Sequence, residues 1–304
     1  MRTVCRVTLA FCLAAGLLLV PATAPSTANA AAPPGPGTHK RTLTMGGFWQ
    51  RDYLLHVPPG RTSAPQPLVI ALHGGLDDMN YIRRQSGLDE VADQNGFLVA
   101  YPDGFMRTWN AGGCCWFARM AGIDDVGFLD SLIDTLVREG LADPRRIYLT
   151  GFSNGGGMAY RYACERSSRV AAVGVVSGSL AVECAPRDPV PVIAFHGTAD
   201  FSVPYGGGGN QDWNNPEPFP PVAAVMEFWR TANRLPPLHR ITLDTAKTTC
   251  RSTGRTTGRD GSGAEVEFCT IFDGGHEWPS GQVDPEVMAS PLIWRFLSGH
   301  ERRG

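Results

Sequence analysis

Residues Gly151-Phe152-Ser153-Asn154-Gly155 constrain the fold of this chain more than any other stretch. They read G-x-S-x-G, follow the β-rich run Arg146-Ile147-Tyr148-Leu149-Thr150 and precede a helix-like segment over 158–166. A strand that must become a helix within so few residues forces its central residue into strained backbone angles and lifts that side chain clear of the sheet. The flanking glycines fit, because a Cβ would obstruct both the turn and the close strand–helix contact. The pattern alone is common, so its meaning depends on what the rest of the chain supplies.

Strand-like and helix-like runs alternate along the chain, which predicts an α/β fold with a mostly parallel central sheet and helices on both faces. Residues 67–73 form a continuous apolar run, the signature of a strand buried on both sides. Other strands are expected at 43–47, 53–57, 97–101, 147–151, 171–176 and 190–196. Helices are expected at 81–94, 125–138, 222–232 and 287–297. The stripe Val126, Leu129, Ile133, Leu136 and Val137 has helical spacing.

Residues 1–30 have the make-up of an export signal: basic Arg2 and Arg6, an apolar run over 7–20, and the small-x-small site Ala28-Asn29-Ala30. The apolar run is shorter than the roughly twenty residues that span a bilayer. A disordered Pro- and Gly-containing tail over 31–40 is expected next, then a single catalytic domain over 41–304. The net charge is −2, and loss of Arg2 and Arg6 with the leader makes the mature chain more negative still. That balance gives no electrostatic reason to expect nucleic acid or a membrane surface as partner; the mature protein is expected to be extracellular and monomeric.

The cysteines left after the leader are Cys114, Cys115, Cys164, Cys184, Cys250 and Cys269. An even number in an exported protein favours disulfides. Cys250 and Cys269 flank a Gly- and Thr-rich loop, which suits a bridge across a hairpin. Cys164 on the helix after the serine turn and Cys184 beyond the next strand form a second candidate pair. Cys114 and Cys115 are adjacent, and either bridge each other or leave a free thiol. No pair of C-x-x-C ligands argues for a metal.

A serine hydroxyl becomes a nucleophile when a neutral imidazole takes its proton and a buried carboxylate fixes that imidazole's tautomer. The chain order Ser, Asp, His at successive strand ends is that of α/β-hydrolases. Here Ser153 is followed by Asp200, in a Gly-containing loop after the apolar strand ending at His196. His276 follows, after the apolar run 266–272 and two glycines. A zinc-type His-Glu motif is excluded at His276, because Ser280 stands where its second histidine would be. His196 and His73 read as loop-shaping residues. Two backbone N–H groups should hold the oxyanion: that of Asn154, next to the nucleophile, and that of Gly75 in Leu72-His73-Gly74-Gly75-Leu76, with Leu76 as second choice.

Five stretches together resemble the polyhydroxybutyrate depolymerase and feruloyl esterase group, with acetylxylan esterases of the first carbohydrate esterase family among its relatives. They are Leu72-His73-Gly74-Gly75, Trp109-Asn110-Ala111-Gly112-Gly113-Cys114-Cys115, Asp124-Asp125-Val126-Gly127-Phe128, Gly151-Phe152-Ser153-Asn154-Gly155-Gly156 and His196-Gly197-Thr198-Ala199-Asp200. The resemblance covers nearly all of the mature chain. It implies an α/β-hydrolase fold, a serine esterase without metal or organic cofactor, and a triad of Ser153, Asp200 and His276. Many members carry another residue where Gly75 stands, and a backbone donor survives that change.

Of the aromatic residues in or beside loops (Trp109, Trp116, Phe117, Phe201, Tyr205, Trp213 and Trp278), Trp109, Trp213 and Trp278 are the expected substrate contacts, by stacking on an acyl ring or a sugar. The segment 206–215 is expected to be a mobile lip. The favoured substrates are feruloyl or acetyl esters on plant polysaccharide. The rivals are a hydroxybutyrate polyester, transfer of the acyl group to an acceptor sugar, and a catalytically silent surface binding protein.

Overall fold

The computed structural model describes residues 34–209, 216–255 and 263–302. Two strands open the fold, β1 (Gly37–Met45) and β2 (Trp49–Val57), paired antiparallel from Gly37 opposite Val57 to Met45 opposite Trp49. β1 reaches back into the stretch expected to be tail. Its alternating exposed and half-buried residues mark an edge strand, and Thr38, His39, Lys40 and Arg41 carry no apolar signal. The apolar run at its centre becomes β3 (Gln66–Leu72), and β4 (Leu98–Pro102) and β5 (Ala142–Phe152) flank it in parallel. β6 (Ala172–Val176), β7 (Val192–Gly197) and β10 (Val266–Ile271) extend the parallel part, and β9 (Thr248–Ser252) and β8 (Arg240–Asp244) close it antiparallel. The strand order is β1-β2-β4-β3-β5-β6-β7-β10-β9-β8.

Helices cover both faces, as expected. Against one face pack α4 (Asp125–Arg138), α5 (Asn154–Glu165) and α6 (Val222–Ala232), through residues such as Leu129, Leu132, Met158, Tyr162 and Trp229. Against the other pack α1 (Met79–Ser86), α2 (Leu88–Asn95) and α7 (Ala289–Ser298), through Ile82, Ala92, Ile293 and Phe296. A short α3 (Trp116–Met120) lies in the loop before α4. The helix expected over 81–94 is thus two helices. Gly87 separates them at φ 59, and its N–H caps Arg83 O at 3.2 Å; only glycine takes that left-handed angle at little cost.

α4 matches its expected bounds because its signals are complete. Asp124 caps Gly127 N at 2.8 Å, and the apolar stripe Val126, Leu129, Ile133 and Leu136 faces the core. Arg138 sits in the last turn, where the helix dipole favours a cation. Among the described residues all six cysteines are bridged: Cys164–Cys184, Cys250–Cys269 and Cys114–Cys115. Cys250 and Cys269 stand directly opposite each other in the β9–β10 ladder.

Candidate active site

The site begins where β5 ends. Ser153 has φ 53 and ψ −119, and directly precedes α5. A non-glycine residue in that region costs on the order of 1–3 kcal/mol and persists only where its surroundings enforce it. Here they do: Ser153 N donates to Val176 O and Gly157 N donates to Ser153 O, both at 2.9 Å. A Cβ on Gly151 would overlap Gly155 O, and one on Gly155 would overlap Leu72 O. The two glycines of the motif are therefore demanded by the approach of α5 to β5 and β3.

Asp200 and His276 meet although 76 residues separate them, because β7 and β10 are parallel neighbours and each carries one of them just beyond its end. The two loops are stitched together: Thr198 N donates to Ile271 O, Ala199 N to Gly274 O and Asp273 N to Thr198 Oγ1, each at 2.9 Å. His276 Nδ1 lies 2.7 Å from Asp200 Oδ2. The other carboxylate oxygen accepts from Ser202 N and Val203 N at 2.9 Å. His196 Nε2 donates to Val203 O at 2.7 Å and lies 3.4 Å from Asp200 Oδ2. Burial by itself would push the Asp200 carboxyl up. The hydrogen bonds from His196 and His276, the His276 charge and the Val203 amide outweigh that and hold it well below the usual carboxylate range. An ionised Asp200 can only accept, so Nδ1 of His276 carries a proton, and in the neutral ring Nε2 is the nitrogen with the lone pair.

Ser153, His276, Gly75 and Asn154 all line one cavity of about 460 Å³. The Asn154 N–H is in the first turn of α5, where backbone donors have no intrahelical acceptor. Its side chain clasps the backbone of Trp109, accepting from Trp109 N at 2.7 Å and donating to Trp109 O at 3.0 Å. Leu76, the second choice for the other donor, is already engaged: its N–H donates to Arg107 O at 2.7 Å. His73 holds this loop from beneath, with Nδ1 donating to Gly74 O at 2.7 Å and Nε2 accepting from Gly104 N at 2.9 Å. Burial pushes His73 down to about 4, so the ring is neutral near pH 7.

The expected substrate contacts need correction. Trp109 is fully buried, with Nε1 donating to His73 O at 3.0 Å, and forms part of the core under the site. Trp278 is 2% exposed, its Nε1 bonded to Ser290 Oγ at 3.0 Å, and it packs with Ala289 and Ile293 beneath the other face. Both rings found buried partners for their N–H groups, which drew them inward. Trp213 lies outside the described residues, as do residues 210–215 of the expected lip. Among the described residues, the aromatic side chains Trp116, Phe201 and Phe219 line the cavity, together with Leu76 and Val203. Phe201 is 84% exposed. Phe219 and Gly208 exchange two backbone hydrogen bonds of 2.8 Å, which tie these two points of the β7–α6 connection together.

Sequence reasoning also missed the support under the loop before α4. Arg51 and Asp125 form a buried ion pair at 2.9 Å, and Asp125 Oδ2 accepts from Asn110 N at 2.8 Å. The Arg51 guanidinium stacks 4.0 Å from the Phe128 ring centre. For metal binding, the described residues bring together Cys250, Glu267 and Cys269, but the two sulfurs are bonded to each other and offer no thiolate.

Comparison with known proteins bears on the chain's family and fold. The family model described as "Esterase PHB depolymerase" matches residues 51–187. NocK of Nocardia uniformis subsp. tsuyamanensis, named as an esterase, is 32% identical over 76% of this chain and 71% of its own. The chain belongs to this esterase family. A protein of Aspergillus terreus named as a feruloyl esterase C is 29% identical, over 85% of this chain and 88% of its own. Among solved structures, an acetyl xylan esterase from Aspergillus awamori superposes with a TM-score of 0.57 at 14% identity, covering 86% of this chain and 99% of its own; that likeness shows the α/β-hydrolase fold. As a member of the family, the chain is a carboxylic ester hydrolase.

Proposed function

We propose that the protein is a secreted serine esterase whose nucleophile is Ser153, with His276 as general base and Asp200 as the group that orients it. The hydrogen bond between Asp200 and His276, made beside a cavity that both His276 and Ser153 line, carries this reading. Ser153 Oγ attacks the ester carbonyl carbon while His276 Nε2 takes its proton. The carbonyl oxygen, now negative, is held by the N–H groups of Gly75 and Asn154. His276 returns the proton to the departing alcohol, and an acyl group remains on Ser153. Water, deprotonated by the same nitrogen, attacks that acyl group and releases the acid. One amide donor of this kind contributes about 2.7–4 kcal/mol to the transition state.

The substrates proposed are feruloyl or acetyl esters on plant polysaccharide, in keeping with what the feruloyl and acetyl xylan esterases among its relatives and structural neighbours are named for. A hydroxybutyrate polyester is the second reading, favoured by the description of the matching family model. Export rests on the composition of residues 1–30 and on the three disulfides, which persist in oxidising surroundings. Ser153→Ala should abolish hydrolysis of p-nitrophenyl acetate while circular dichroism and the melting temperature stay those of the wild type. Retained turnover in the folded variant would remove Ser153 from the mechanism. Parallel assays on methyl ferulate, acetylated xylan and a hydroxybutyrate polymer film rank the substrates.

A further inference from the structure

Trp116 is held in a conformation that its residue type disfavours. Its φ is 45, in the left-handed region where a bulky residue is an outlier. Outliers of this kind persist only where the surrounding structure enforces them. The ring is seated on Gly75, and a Cβ at that position would overlap the six-membered ring of the indole. The backbone of the loop that supplies the proposed Gly75 donor therefore runs directly against an aromatic ring. Trp116 is half-buried and lines the same cavity as Ser153, Asn154 and His276. Tryptophans 109 and 278, by contrast, have their rings committed to the core.

We propose that Trp116 is a specificity-determining residue that selects planar aromatic acyl groups. The class of substrate is an ester whose acyl ring is conjugated to its carbonyl, such as a hydroxycinnamoyl ester. Such a group is flat from ring to carbonyl, so once the carbonyl oxygen reaches the Gly75 and Asn154 amides, the plane behind it lies within reach of the indole seated on Gly75. An acetyl group has no atoms to place there. The cavity of about 460 Å³ gives the larger group room, and Phe201 and Phe219 line it as well. The inference rests on the reading of Ser153 as nucleophile and adds to it the choice of acyl group. Stacking on an aromatic face corresponds to a preference of up to about tenfold.

The test compares kcat/KM for methyl ferulate and methyl acetate, which share a leaving group, in the wild type, Trp116→Leu and Trp116→Phe. Leucine keeps apolar bulk beside Gly75 and removes the planar face, and phenylalanine restores a ring. The ferulate-to-acetate ratio should fall about tenfold in Trp116→Leu, chiefly through KM for ferulate, and should recover most of that loss in Trp116→Phe. An unchanged ratio in the folded leucine variant overturns the proposal. So does an equal loss on both esters, which would make the ring a buttress for Gly75 alone. A wild type that cleaves methyl acetate and not methyl ferulate also overturns it, while leaving Ser153 in place. Turnover by Ser153→Ala would instead strike at the nucleophile assignment, so the two failures are told apart.

Discussion

Asp200→Asn is the sharpest probe of the proposed proton path, because the structure dictates how the new amide must sit. Oδ1 of Asp200 accepts from two backbone donors, Ser202 N and Val203 N, both at 2.9 Å. An asparagine can satisfy those donors only with its carbonyl oxygen, so its NH₂ group must face His276, 2.7 Å away in the wild type. That NH₂ group donates, so Nδ1 of the neutral ring must accept, and the ring proton moves to Nε2. The nitrogen that should take the Ser153 proton then carries one already. The same exchange in a serine-histidine-aspartate site lowers kcat about 10⁴-fold with the geometry intact, equivalent to about 5.5 kcal/mol of barrier. The assay is kcat on p-nitrophenyl acetate near pH 7, with the melting temperature as a check on folding and nitrogen-15 chemical shifts of His276 as a direct reading of the tautomer. A loss of less than tenfold, or an Nδ1 still protonated in the variant, would refute the reasoning.

Two further predictions concern stability. His73 is pushed down to about 4 in the fold, whereas an unfolded chain protonates histidine near 6.5. As pH falls between those values the unfolded state binds more protons, so stability present above pH 6.5 is progressively lost toward pH 4. Urea titrations at pH 7 and pH 4.5 should show the wild type losing about 2–3 kcal/mol more than His73→Asn over that interval, and parallel pH profiles would contradict it. Cys250 and Cys269 close a loop with a sequence separation of 19. Replacing both by serine should cost about 3 kcal/mol and lower the melting temperature by roughly 6–12 °C; an unchanged midpoint would show that the bridge contributes nothing.

The parts of the site that were legible in the sequence are those whose chemistry depends on local pattern. Gly151 and Gly155 announce the turn at Ser153, and glycines before His276 announce a loop that can bring a ring over a strand end. The order of Ser153, Asp200 and His276 along the chain does the rest, since parallel neighbours β7 and β10 deliver their ends to one place. What was not legible is the direction in which loop residues face. A loop has no period of 2 or 3.6 to separate inside from outside, so Trp109 and Trp116 look alike on paper. Only the partners decide: His73 O and the Asn154 side chain draw Trp109 inward, whereas Gly75 leaves room for Trp116 beside the cavity. The start of β1 was missed for a related reason, since an edge strand needs no apolar run. The break at Gly87 was readable, but the helical pattern on either side hid it.

The backbone clasp between Gly208 and Phe219 gives the rim a property useful to protein engineers. Asp200 is fixed by Ser202 and Val203, which lie before the clasp, and His276 and Ser153 hang from other strands altogether. Phe219 lines the cavity yet is held there through its backbone, so exchanging its side chain alters the cavity wall and leaves the backbone pairing with Gly208 in place.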